Sequence, residues 1–585
     1  MKKLLFCIIG LSLVLILCGC NLFGNNQKKP KNPPLTEISQ DGYWMVKGFK
    51  TDYKVCTCDE KDLADTDEHI IRSDCSAHTV IRQCNLCSNF SIIDMLPIVA
   101  HSFTDRQCTV CGAYEPSEDI TYELNSDGSG YTAKKIHSCP DKFLVIPDIY
   151  EGLPVTAIGE YFLRSLPHYS PVEKAVIGKN VKTIENYAFS HVWALQSVSL
   201  PEGLTTIGDG AFSGCGALVA ISLPSSVTSI GQDAFAFCGS LASVNIPDGI
   251  KRIESYTFTS CKSLTQIKIP ESVTVICMNA FSSSGLKSVK ISKNVISIEK
   301  SAFMYCQNLE YISVANDNPC YKSIDGHLYT KDGSILITYA CQNTATSFTL
   351  PAEVTVISAN AFTYAIHLKS ITLHDSVTAI GVGAFSRCMD LESITLPSGI
   401  TVIEPATFAD CHKLANIHIP ESVTDIGDKA FSGCYALTYI EIPKGVTSLG
   451  EYAFSRCESL KSLELPSGVT VIKSSLLQGC ISLEQITFHG QITAIADNAF
   501  TSCRSLESIT IPDSVIRINR FAFYNCSALK SVTIGIGVKI IDEKAFHKCD
   551  ALTDVYYNGT HEQWSRIRIY YGNNLLTDAT LHCND

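Results

Sequence analysis

The stretch LASVNIPDGIKRIESYTFTSC, residues 241–261, decides the fold. Leu241, Val244 and Ile246 stand among small polar residues, and the alternation reads as a short strand with every second side chain inward. Pro247 ends it, because proline lacks the amide proton that a continuing ladder needs. Ile250 and Ile253 mark a second extended segment on another side of the coil. Phe258 follows, in a tight turn or a single helical turn that carries its ring into the interior, and Cys261 closes the unit.

The order LxxIxIPxxVTxIGxxAFxxC recurs along the chain. Cysteine stands at 388, 411, 434, 457, 480, 503, 526 and 549, a spacing of 23, and phenylalanine precedes it by three residues except at Leu477. A fixed period of roughly 20 to 50 residues is the signature of stacked repeats. Each coil leaves an apolar face that only its neighbours cover. Aromatic anchors run from Phe189 through Phe212, Phe235, Phe258, Phe281, Phe303 and Phe362 to Phe546, with Phe162 as a degenerate first member. The expected fold is a β-rich solenoid of about 16 coils, short parallel strands joined by turns, with leucine at the head of each unit. At a strand spacing of about 4.8 Å it extends about 75 Å.

This pattern resembles the BspA-like leucine-rich repeats of bacterial surface proteins, over residues from about 120 to 585. The resemblance implies a right-handed solenoid whose LxxIxI strands line one parallel sheet, and a role in adhesion or protein binding. Two segments depart from the period. The gap from Phe303 to Phe362 is 59 residues, and the extra segment 316–347 holds Asp325-Gly326 and Asp332-Gly333 among alternating apolar residues, so it reads as a β-hairpin excursion. Cys320 and Cys341 flank it as a candidate disulfide staple. The end, 553–585, with Tyr556, Tyr557 and Trp564, resembles the family's terminal cap. The array proper spans 120–552.

Twelve cysteines occupy the repeat position, the eight above with Cys215, Cys238, Cys261 and Cys306. The same slot holds Val192, Ser284 and Ala365, so it selects for size, and the cysteines read as buried small hydrophobes rather than as a redox or metal ladder. The segment 41–115 differs. Cys84-x2-Cys87 and Cys108-x2-Cys111, two CxxC pairs 20 residues apart, match a zinc-ribbon spacing, with His78 and His101 either alternative ligands or solvated loop residues. Four thiolates close a tetrahedral structural zinc site; in an oxidising exterior the same cysteines pair as two disulfides.

The N-terminus carries an address. Lys2 and Lys3 precede an apolar run at 4–17, too short to span a bilayer and of the length of a signal peptide core. Leu17-Cys18-Gly19-Cys20 resembles a bacterial lipobox, which implies cleavage after residue 19 and lipid on Cys20; an ordinary secretory signal is the other reading. The polar segment 20–40, with Pro30, Pro33 and Pro34, reads as a tether.

Charged residues make up 18% of the chain and the net charge is −12, with no Lys/Arg stripe, which argues against nucleic acid as a partner. No nucleophile elbow, HExxH, phosphate loop or dinucleotide fingerprint appears, so the chain does not read as an enzyme. The outward positions of the LxxIxI strands are mostly small hydroxyls, a soluble filler. In the middle they become Tyr311, Asn416, His418, Tyr439, Glu441 and Glu464, the candidate binding face. The expected function is recognition of a protein or a host matrix component at the cell surface by a lipid-anchored solenoid. The alternatives are glycan binding, with Tyr311 and Tyr439 stacked on sugar rings, and a passive stalk presenting the Cys-rich module.

Overall fold

The computed structural model describes residues 114–140, 142–166 and 172–585 throughout, and before them only the backbone of eight short strands between Glu37 and Cys108. The chain divides into two compact units, Met1–Ser117 and Glu118–Asp585. In the first, His69–Asp74, Ala77–Gln83 and Phe90–Leu96 form an antiparallel sheet.

The second unit is a β-solenoid of about 19 turns of about 23 residues. Strands of the LxxIxI type pair in parallel from coil to coil, as Ser393–Thr395 does with Asn416–His418. The VTxI segments build a second parallel sheet, Val471–Ile472 on Ala494–Ile495 on Arg517–Ile518. Between the two, proline opens a tight turn: the Val446 amide donates to the Pro443 carbonyl at 3.0 Å and the Val469 amide to Pro466 at 3.1 Å. The count exceeds the 16 coils legible from phenylalanine anchors. Tyr311–Val314 at the excursion, and Asp554–Tyr557 and Thr580–His582 at the C-terminal end, continue the LxxIxI stack without a phenylalanine anchor.

The third side of each coil is a run of turns, not helix; the only helices among the described residues are His561–Trp564 and Asn574–Thr577. Its amides alternate in direction. Tyr187, Phe189 and His191 donate to Asp209, Ala211 and Ser213 of the next coil, while Ala188, Ser190 and Val192 donate within their own. That alternation demands a left-handed backbone twice per coil. Gly210 and Gly214 supply it at φ +57° and +76°. Elsewhere Tyr187, His191, Tyr452 and Arg456 adopt φ of 56° to 61°, a strain of about 1 kcal/mol or more each that the coil-to-coil bonds hold in place.

Inside, the phenylalanine rings stack. Centroids from Phe189 to Phe303 lie 5.1 to 5.7 Å apart and those from Phe362 to Phe454 lie 5.1 to 5.6 Å apart. Leu477, fully buried, breaks the stack before Phe500. All twelve repeat cysteines are buried free thiols, and each donates to a main-chain carbonyl one coil back, as Cys434 does to Phe408 at 3.2 Å and Cys480 to Phe454 at 3.2 Å. The slot therefore selects for size, as the sequence suggested, and the thiol adds a weak hydrogen bond. Burial pushes these thiols far above their ordinary range, Cys480 to about 12.

The excursion is a partition rather than an appendage. Tyr321–Ile324, His327–Thr330 and Ile335–Thr338 form an antiparallel set whose last strand lies parallel to Val356–Ile357. The buried apolar residues fall into two clusters that meet here. Tyr321 and Leu328 belong to the N-terminal core, Tyr329 and Leu336 to the C-terminal one. Leu328 and Tyr329 are neighbours on one strand with opposite faces, and both are fully buried. Tyr339, 23 residues before Phe362, sits 4.9 Å from its ring and donates its amide to Ala361, the backbone bond of a regular anchor. Cys320 and Cys341 are not bonded to each other: Cys341 is turned inward, its thiol on the Cys306 carbonyl at 3.0 Å, while Cys320 is partly exposed.

Candidate recognition surfaces

On the LxxIxI side the alternation carries every second residue outward. Asn416, His418, Tyr439, Glu441 and Glu464 are all exposed, on three successive coils. Tyr439 is 57% exposed. Glu464 meets His489 of the next coil at 3.3 Å. The regular ladder lapses at the Tyr439 coil, where the coil-to-coil bonds stretch to 3.4 Å from Thr438 to Ala415 and 3.3 Å from Lys461 to Thr438. Tyr311, also exposed, stands four coils before Asn416, against the hairpin turn at Gly326. The six candidate residues are thus one cluster of five and a separate tyrosine.

The turn side holds a second set that pattern reading passed over. These residues occupy the left-handed positions, or the one just after the cysteine, which the motif writes as x. The Arg387 guanidinium lies 5.1 Å from the Tyr364 ring and 5.7 Å from Tyr305, bonds the Tyr364 hydroxyl, and reaches Asp410 at 3.4 Å. Arg456 lies 5.1 Å from the ring of Tyr435, which stacks on His412 at 4.5 Å. Lys429 lies 5.6 Å from Tyr452. Each cation over a ring is worth about 0.5 to 1 kcal/mol at an exposed site, so the groups are pre-ordered before any partner arrives. Tyr305 and Tyr364 touch edge-on at 5.5 Å across the excursion, which keeps this side continuous.

Cys20, Cys84, Cys87, Cys111 and His101 lie outside the described residues; for His78 and Cys108 only the strand backbone is described. No described helix is long and apolar enough to cross a membrane.

The profile of the BspA type leucine rich repeat region matches the chain in 6 copies, over residues 182–310, 336–461 and 424–553. Similar solved structures include a leucine rich cell surface protein from Faecalibacterium prausnitzii, 26% identical over 78% of this chain and 97% of that one, with a TM-score of 0.47. A leucine-rich repeat protein from Eubacterium ventriosum is 24% identical over 74% and 93%, TM-score 0.40. The pneumococcal vaccine antigen PcpA is 17% identical over 81% and 99%, TM-score 0.42. No curated protein is significantly similar to the chain. With the family profile matching over more than half its length, on coils whose anchors stack as described, the chain belongs to the BspA-type leucine-rich repeat family.

Proposed function

We propose that the chain is a bacterial cell-surface protein, anchored by lipid on Cys20, that recognises a protein or matrix component with the outer sides of its coils. The observation that carries this reading is the cluster Asn416, His418, Tyr439, Glu441 and Glu464, exposed side by side on three successive coils. Exposed tyrosine on a rigid frame offers contact area at low entropic cost, and tyrosine and arginine are the residues that anchor interfaces. The apolar run and the Leu17–Cys20 motif support the address. In the first unit, Cys84, Cys87, Cys108 and Cys111 are proposed to hold a structural zinc, with two disulfides as the competing state.

The test is capture and identification of the partner with a Cys20→Ser chain, followed by affinity measurement with Tyr439→Ala/His418→Ala. A loss of tenfold or more with unchanged thermal unfolding supports the reading; unchanged affinity removes this face from recognition. A signal on a glycan array that vanishes in the same variant would assign a sugar ligand instead. Radiolabelled lipid should enter the natural chain and not the Cys20→Ser variant.

A further inference from the structure

We infer that the C-terminal end of the solenoid is a binding site for a divalent transition-metal ion of the zinc type, with Cys583, His561 and Asp585 as ligands. One donor atom from each residue lies within 4.8 Å of the other two, and three separate features of the cap bring them there.

The first is the short helix His561–Trp564. The Thr560 hydroxyl accepts the Gln563 amide at 3.3 Å, and the Gln563 side chain accepts the Thr560 amide at 2.9 Å. This reciprocal cap fixes the turn on which His561 sits. The second is the strand Thr580–His582, parallel to Asp554–Tyr557, which delivers the following residues to the same edge. The third is Asn584, whose amide donates to the Gly559 carbonyl at 3.0 Å and whose side chain donates to the Asn558 carbonyl at 2.8 Å. With Asn584 pinned against 558–559, Cys583 and Asp585 stand two residues apart and come to the one histidine. The His561 Nδ1 lies 2.7 and 2.9 Å from the two Asp585 carboxylate oxygens.

The donor set selects the ion. A thiolate is a poor ligand for magnesium or calcium, whereas sulfur, imidazole nitrogen and carboxylate oxygen together suit zinc. Thiolate and carboxylate supply two negative charges for a dication. Three protein ligands leave a fourth tetrahedral position, and the 59% exposed His561 side chain shows that water reaches it. The bound ion would tie Cys583 and Asp585 to the helix His561–Trp564.

The test follows Cys583 itself in the full chain, because cysteines of the first unit also compete for zinc. Alkylation of Cys583 by iodoacetamide, read on its own peptide by mass spectrometry, should slow tenfold or more when zinc is added. His561→Gln and Asp585→Asn should abolish that protection without altering thermal unfolding. Zinc per chain should fall by one in Cys583→Ser relative to the natural sequence. A Cys583 alkylation rate indifferent to zinc in the natural chain, or equal zinc content in Cys583→Ser, would overturn the site and leave a plain His561–Asp585 ion pair.

Discussion

A regular coil such as 414–434 and the excursion 318–341 are both enclosed by neighbours, yet they satisfy their buried polar groups in different ways. In the regular coil the chain serves itself: the Phe408 carbonyl accepts the Cys411 amide and the Cys434 thiol, each at 3.2 Å, and the same arrangement recurs at each repeat cysteine. In the excursion buried polar groups such as Asn318 and His327 have partners used once. Buried Asn318 donates to the Ser292 and Val295 carbonyls at 2.8 and 2.9 Å and accepts the Cys320 and Tyr321 amides at 2.8 Å. Buried His327 stacks on Tyr339 at 4.1 Å and accepts the Ala340 amide on Nδ1 at 3.1 Å. Repetition lets one solution serve many coils with few ionisable groups inside. An interruption concentrates single-use polar groups in one place, and that is where the molecule should respond to pH.

The largest expected effect lies in the regular coils. Phe431, fully buried, is stacked between Phe408 at 5.4 Å and Phe454 at 5.6 Å. Phe431→Ala leaves a cavity that neighbours on both sides cannot close, for a loss of about 3 to 5 kcal/mol in denaturant unfolding. A loss below about 1 kcal/mol would mean that the stack is not the support described here.

The next effect separates the two regions. Burial lowers His327 from its ordinary range to about 4, against a smaller opposing pull from Asp325. The folded chain keeps this ring neutral while the unfolded chain protonates it near pH 6.5. Stability should therefore fall as pH drops from about 6.5 to 4, by roughly 3 kcal/mol from this residue. His327→Gln should flatten that part of the pH profile relative to the natural chain, and an unaltered profile would place the ring in solvent.

The smallest of the three sharpens the link between the regions. Tyr339 fills an anchor slot, but its hydroxyl is buried with no hydrogen-bond partner. Tyr339→Phe should restore the regular anchor and stabilise the chain by about 1 kcal/mol; destabilisation would reveal a partner for the hydroxyl.

The period of Phe and Cys made the coil, its strands and its buried anchors legible, because packing repeats whatever the exterior does. The coils at Asp554 and Thr580 were not legible, because no phenylalanine anchor follows their strands. Tyr339 had a signal, an aromatic residue one period before Phe362, hidden by the irregular segment around it. The Arg387 and Arg456 sets escaped because the motif leaves those positions unspecified, and only the fold shows that they align. His561, Cys583 and Asp585 are brought together by the cap over more than 20 residues of chain, with no spacing signature to read.

The central claim, that coils stack with their cysteines sealed as free thiols along the interior, is tested most directly by peptide-resolved alkylation of the intact protein before and after denaturation. The account predicts that Cys215, Cys238, Cys261, Cys306 and the eight from Cys388 to Cys549 stay unmodified in the native state and all react as free thiols once unfolded. Native-state modification of several of them, or disulfides among them, would contradict it.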